Sequence, residues 1–428
     1  MSNIHSNSPF KVITGGLSES AASSSKEFVA AYVTDTRLMG VVGMYVHWYL
    51  PQNTVNKELY QLFYFDAEEH GFDTYKSLLC QGTPQDTIEI TKLENTLFGG
   101  LGGKQIYITE KEAKFLLQKY VHFNEENKLA MPGDYKEYEF MLKHPANLSD
   151  EEEFALLCKQ CTPLDSQYQV INYFLMRCYG KDFEAAKALT KGYVRTNIFT
   201  EHKCATFLRN TIEEAPDEVS GSNSKYFITD DDKDFGTFDT FKSYLCESLI
   251  EYDGKYFLII TQVTLDQLKV VKFEKISTFK VSTAEASMMT SRGEFVTVCD
   301  LVTDAPEFDR TSTTLATKSM VTDYDNGRLF MIFHPHNDHV KKQAYSLNDD
   351  VKGIYYLVDD SQLILAAYSL EGIRELEADL ASSRMANFVV PVSKYEFKEP
   401  VLFEFMNSVF DDFEDFVEAI SLLQDPEK

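Results

Sequence analysis

The chain has 428 residues, 44% of them hydrophobic and 13% aromatic, enough apolar material for cores in two or three domains. Its formal net charge is −26, from 41 Lys and Arg against 67 Asp and Glu. A phosphate backbone or an anionic membrane is repelled by such a field, and Lys341-Lys342 is a pair rather than a basic stripe, so neither is expected as a partner. A protein partner of basic or neutral character fits better.

The start, Met1-Ser2-Asn3-Ile4-His5-Ser6, lacks the apolar core of a signal peptide. The apolar stretch Leu38 to Leu50 is interrupted by Gly40, Gly43 and His47 and falls short of the ~20 residues that a membrane helix needs. The seven cysteines are an odd number without secreted-type spacing, which predicts reduced thiols and a cytoplasmic location.

In chain order, residues 1–25 read as a flexible leader and 26–132 as a mixed α and β lobe. Within that lobe, Met44 to Leu50 and Leu59 to Phe65 read as buried strands. His47, between Val46 and Trp48, is expected as a hydrogen-bonded core histidine. Ile88-Glu89-Ile90 and Ile106-Tyr107-Ile108 alternate as short strands. Thr109-Glu110-Lys111-Glu112 is a capping box, so a helix should follow it. Residues 133–212 read as a helical segment. Ser149 to Glu152 is a second capping box, with Phe154, Leu157 and Cys158 on one face, and Gly180 stops a later helix.

Residues 213–224, rich in Glu, Ser, Gly and Pro, read as a linker. Residues 225–428 read as a β-rich α+β lobe with a C-terminal helix. Hairpins are predicted around Asp253-Gly254, Asp325-Asn326-Gly327 and Asp359-Asp360. Leu370 to Leu380 reads as a helix with Ile373, Leu376 and Leu380 aligned. The last helix is placed from near Ser408, with Phe410, Phe413, Val417 and Ile420 as its apolar face. The fold class is therefore α+β, two lobes with mainly antiparallel sheet joined by a helical middle segment. One echo crosses the lobes: Phe72 to Cys80 and Phe238 to Cys246 agree at seven of nine positions.

Metal-capable side chains converge in sequence at His334-Pro335-His336-Asn337-Asp338-His339, directly after the apolar run Leu329 to Phe333. This His-x-His-x-Asp-His pattern resembles the metal-binding motif of the metallo-β-lactamase superfamily over these six residues. The resemblance implies that His334 and His336 hold one divalent metal (zinc, manganese or iron), Asp338 and His339 a second, and that the metals generate hydroxide for hydrolysis. No histidine follows His339 to supply the further ligands in that family's order, and Phe333 stands where the family has a small or hydroxyl side chain.

Other motifs are incomplete. Cys158-Lys159-Gln160-Cys161 closes a helix instead of opening one and has no second CxxC. Gly99-Gly100-Leu101-Gly102-Gly103-Lys104 departs from a phosphate loop at Phe98 and Gln105. Asp230 to Asp234 departs from a calcium loop at Phe235 and Phe241. The sequence thus favours a non-catalytic protein-binding or scaffold protein that carries no cofactor. The alternative is a metal-dependent hydrolase using His334, His336, Asp338 and His339.

Overall fold

The computed structural model describes residues 25–53, 55–98, 103–197, 203–215, 241–302, 320–324, 326–333, 342–345, 351–358 and 362–424. They form two compact units. One takes the described residues within Met1–Asp35, Val41–Glu94 and Lys104–Gln160, the other those within Thr36–Gly40, Asn95–Gly103 and Cys161–Lys428. The fold is α+β, built on three antiparallel sheets.

The first unit opens with a four-strand meander: β1 (Glu27–Thr34), β2 (Val41–Tyr49), β3 (Glu58–Asp66) and β4 (Gly71–Cys80). Helix α1 (Pro84–Phe98) follows, and β5 (Gln105–Ile108) then returns to pair with β1, giving the order β4-β3-β2-β1-β5. Ile88-Glu89-Ile90, expected as a strand, lies inside α1. Thr83-Pro84-Gln85-Asp86 explains the difference. The Asp86 carboxylate accepts from the Thr83 backbone N–H at 2.7 Å, the Thr83 hydroxyl accepts from the Asp86 N–H at 3.3 Å, and Pro84 takes the first helical position. Two isoleucines separated by one residue cannot outweigh that start signal.

Helix α2 (Glu110–Asn127) begins at the Thr109–Glu112 capping box, as expected. It lays Ala113, Leu116, Leu117 and Tyr120 on the sheet face made by Val42, Met44, Val46, Trp48, Phe63 and Phe65. The Phe65 and Tyr120 rings stack with centroids 4.5 Å apart. A short helix, α3 (Glu139–Leu142), and α4 (Asp150–Lys159) complete the unit. In α4 the buried side is Leu156 with Gln160, and Phe154 is 56% exposed, so the expected Phe154, Leu157 and Cys158 face is not the packing face.

A polar network crosses this apolar core. Gln61 is fully buried, and its side-chain carbonyl accepts from Trp48 Nε1 at 2.9 Å. Its amide donates to the Tyr75 hydroxyl at 2.8 Å and to the Glu137 carbonyl at 3.1 Å.

In the second unit, α5 (Gln167–Tyr179) ends at Gly180, and α6 (Phe183–Ala188) follows. Next come β6 (Thr206–Glu214), β7 (Phe241–Tyr252), β8 (Lys255–Asp266) and β9 (Lys269–Val281). Val170, Phe174 and Cys178 of α5 pack on Ile212, Tyr244, Cys246, Ile259 and Val263. The Asp253-Gly254 turn has φ values of 51° and 68°, the twist of a two-residue hairpin turn. Residues 206–212, read as helical, belong to β6, where Ile212 is buried among strand neighbours. Glu213 and Glu214, read as the start of a linker, are the last residues of the same strand and pair with Leu245 and Tyr244. Most of the remaining linker lies outside the described residues.

The third sheet has the order β11-β12-β14-β15-β10-β16. Helix α7 (Thr283–Thr290) precedes β10 (Glu294–Leu301), β11 (Met320–Tyr324) and β12 (Gly327–Phe333). Strand β13 (Lys342–Tyr345) pairs with β6 in the second sheet, and β14 (Val351–Val358) and β15 (Gln362–Ala367) return to the third. Helix α8 (Leu370–Ser382), strand β16 (Val389–Phe397), α9 (Leu402–Met406) and α10 (Phe413–Gln424) close the chain. Both central strands are buried on both faces, which accounts for their unbroken apolar runs. Ile373, Leu376 and Leu380 cover one face, Phe405, Phe413 and Phe416 the other.

The last helix starts at Phe413 rather than near Ser408. Asp412 supplies its cap, accepting from the N–H groups of Glu414 and Asp415 at 2.8 and 3.0 Å.

Over the described residues the two copies of the nonapeptide take different places in their sheets. Phe72 to Cys80 forms β4, the fourth strand of its meander at a sheet edge, whereas Phe241 to Cys246 opens β7, between β6 and β8. The faces are also inverted. Tyr75 faces the first core, while its counterpart Phe241 is 54% exposed and the neighbouring Tyr244 and Cys246 face the second.

Limited proteolysis should cut first within 216–224. Because β6 and β7 flank that segment and are hydrogen-bonded neighbours, the two fragments should elute together in gel filtration. Separate elution under native conditions would contradict this pairing.

Candidate functional site

The side of the first sheet away from α2 carries an aromatic ladder. Strand alternation puts Tyr45, His47 and Tyr49 of β2 on this side and Met44, Val46 and Trp48 in the core. In register, Tyr107 of β5 opposes Tyr32 of β1, Tyr32 opposes Tyr45, and His47 opposes Tyr60 of β3. The ring centroids are 5.9 Å apart for Tyr32–Tyr107, 6.0 Å for Tyr32–Tyr45 and 5.7 Å for Tyr45–Tyr60. The His47 ring stacks on Tyr60 at 4.2 Å and 15°. Cross-strand aromatic pairs of this kind are a known source of sheet stability, yet these rings stay half-buried and Tyr107 is 53% exposed.

Carboxylates frame the ladder. The Tyr60 hydroxyl donates to Glu58 Oε2 at 2.9 Å, and His47 Nε2 lies 3.9 Å from the same oxygen. Glu94 of α1 accepts from the Gln105 side chain at 3.4 Å and acts electrostatically on Tyr45. Burial holds Glu94 above the usual carboxylate range, with the Gln105 bond working against it. Among the described residues neither Glu58 nor Glu94 is paired with a lysine or arginine.

Burial also pushes Tyr45 and Tyr60 upward, assisted at Tyr45 by Tyr60 and Glu94 and at Tyr60 by Glu58. The Cys80 thiol beside them is pushed up to about 12 by burial, then by Asp86, Glu58 and Glu89. Burial lowers the His47 pKa and Glu58 partly offsets that shift, so the imidazole is largely neutral at pH 7. Phenol and thiol groups that remain protonated are poor nucleophiles. What this face offers a ligand is ring surface and negative charge.

His47 was expected as a hydrogen-bonded core residue. It lies instead on the outward face, with Nε2 making no hydrogen bond. The ladder was legible as the every-second-residue spacing of Tyr45, His47 and Tyr49. The flanking apolar residues hide it, because they make the whole run look buried.

The metal candidates His334, His336, Asp338 and His339 lie outside the described residues. The apolar strand expected before them is β12, which ends at Phe333, and the chain next pairs as β13 in a different sheet. Among the described residues no group of three or more His, Cys, Asp or Glu is placed to hold a metal ion. Gly99 to Gly102, His202 and Asp230 to Asp234 also lie outside them.

Cys158 is exposed at the end of α4, and Cys178 is buried in α5. Cys204 lies against the end of that helix, its Sγ donating to the Gly180 carbonyl at 3.0 Å. The seven cysteines form no disulfide. Alkylation of the native protein should label Cys158 first and Cys161 and Cys204 more slowly. Cys80, Cys178, Cys246 and Cys299 should react only after denaturation, since burial raises the pKa of all four thiols. Early labelling of Cys246 would contradict the core assignment.

No helix among the described residues is long and apolar enough to cross a membrane. No family model, curated protein or solved structure matches the chain.

Proposed function

We propose that this protein is a non-catalytic cytoplasmic binding module that engages a protein partner through the tyrosine face of its first sheet. The observation that carries the reading is the half-buried ladder Tyr107, Tyr32, Tyr45 and Tyr60, with Glu58 and Glu94 beside it. Tyrosine is enriched in protein interfaces because one ring buries much area while its hydroxyl stays wet. The protonated state of the Tyr45, Tyr60 and Cys80 groups speaks against nucleophilic chemistry there. The net charge of −26 disfavours nucleic acid.

The reading is tested by affinity capture from native extract with the wild type, Tyr107→Ser and Tyr193→Ser. Tyr193, in the second unit, is 95% exposed and serves as the control. Proteins retained by the wild type and by Tyr193→Ser, but lost with Tyr107→Ser, are the expected result. Identical capture by all three would contradict it.

The hydrolase alternative, on His334, His336, Asp338 and His339, is separated by elemental analysis. The binding-module reading expects purification without stoichiometric metal and a His336→Ala stability change below ~1 kcal/mol. About one equivalent of zinc, manganese or iron, lost in His336→Ala, would favour the hydrolase.

A further inference from the structure

The chemistry of the ladder narrows what kind of partner it takes. Ring faces attract cations through their quadrupole, and a guanidinium both stacks on a ring and pairs with a carboxylate. Here the two features occur together. Glu58 lies at the β3 side of the ladder, bonded to Tyr60, and Glu94 acts on Tyr45 from α1.

Glu94 is half-buried, and burial disfavours its charge. A cation arriving there offsets the burial cost of the carboxylate and forms a charge-assisted hydrogen bond, so its binding is favoured over that of a neutral group. The chain's overall field steers basic segments toward the protein.

We infer that the tyrosine face of the first sheet binds an arginine-bearing segment of a partner protein, with guanidinium groups laid on the exposed Tyr107 ring and the partly exposed Tyr32 and Tyr60 rings and paired with Glu58 and Glu94. This rests on the binding-module reading and adds the charge and side-chain type of the partner.

The test uses the full-length protein and a synthetic peptide of alternating Arg and Ser. Its reference is the same peptide with citrulline, which keeps the planar group and removes the charge. Binding is measured by calorimetry at physiological salt. The Arg peptide should bind, and the citrulline peptide should bind about tenfold more weakly or not at all. Glu58→Gln with Glu94→Gln should weaken the Arg peptide by about tenfold and Tyr107→Leu by about threefold. Tyr193→Leu and Glu371→Gln, both on exposed residues of the second unit, should leave it unchanged.

Two results overturn the inference. Equal binding of both peptides, with sensitivity to Tyr107→Leu, removes the cation requirement while leaving protein binding at this face intact. Arg-peptide binding untouched by all the face variants assigns it to the general acidic field. Circular dichroism of each variant separates lost binding from lost folding.

Discussion

Arg37→Met should lower the stability of the second unit by about 3–5 kcal/mol, the range for removing one partner of a buried ion pair. Both side chains are almost fully buried. Arg37 Nε donates to Asp182 Oδ2 at 2.6 Å and Nη2 to Oδ1 at 3.0 Å, a two-point contact. Asp182 also caps α6 by accepting from the Ala185 N–H at 3.3 Å. Without Arg37 that carboxylate is buried with much of its compensation gone. Chemical denaturation followed by circular dichroism is the measurement. The double variant Arg37→Met with Asp182→Leu should recover much of the loss, because the buried charge is then also gone. A loss below about 1 kcal/mol in the single variant would show that Asp182 is satisfied by other means.

The same pair has a pH signature. Burial alone would raise the Asp182 pKa, but Arg37, with help from Arg177 and the Ala185 N–H, outweighs it and holds the group below the usual carboxylate range. A depressed folded-state pKa contributes stability that is present above the unfolded value of about 4 and is lost as pH falls through the folded one. Asp182→Asn should therefore be less stable than the wild type at pH 7, with the gap narrowing below about pH 4. A gap that widens on acidification would contradict the assignment.

Gln61→Leu should destabilise the first unit by about 2–4 kcal/mol. The substitution is close in volume, so the cost is polar rather than steric. Trp48 Nε1–H, the Tyr75 hydroxyl and the Glu137 carbonyl each lose a partner within a core where water cannot replace it. Trp48 is the chain's single tryptophan, so fluorescence reports on this core alone. The denaturation midpoint of its emission should fall in Gln61→Leu. An unchanged midpoint would show that the network is replaceable by apolar packing.

Much of the fold was legible where local chemistry decides it. The capping boxes at Thr109 and Ser149 and the Asp253-Gly254 turn each act over a few residues, and each folds as read. Met44 to Tyr49 and Leu59 to Phe65 fall in strands as expected, but with one side facing outward rather than fully buried. The differences arise where distant partners decide. Thr206 to Glu214 is a strand because β7 and β13 flank it, and neither is visible from the segment itself. The Phe154 side of α4 is apolar but exposed, because the unit packs against Leu156.

The site followed the same rule. Period-two tyrosines were present in the sequence, but the ladder exists only through the register of β5, β1, β2 and β3, and its carboxylate frame draws on a helix that was read as a strand. Arg37 and Asp182 are 145 residues apart, and no local pattern links them.

The most direct measurement of the central claim is photo-crosslinking in living cells from a photoreactive amino acid placed at position 107. A second placement at position 193 provides the comparison, since both side chains reach solvent. The account predicts one or a few discrete protein adducts from position 107, absent from position 193, with crosslinked peptides that contain arginine. Adducts that are the same from both positions, or absent from position 107, would contradict a binding role for the tyrosine face.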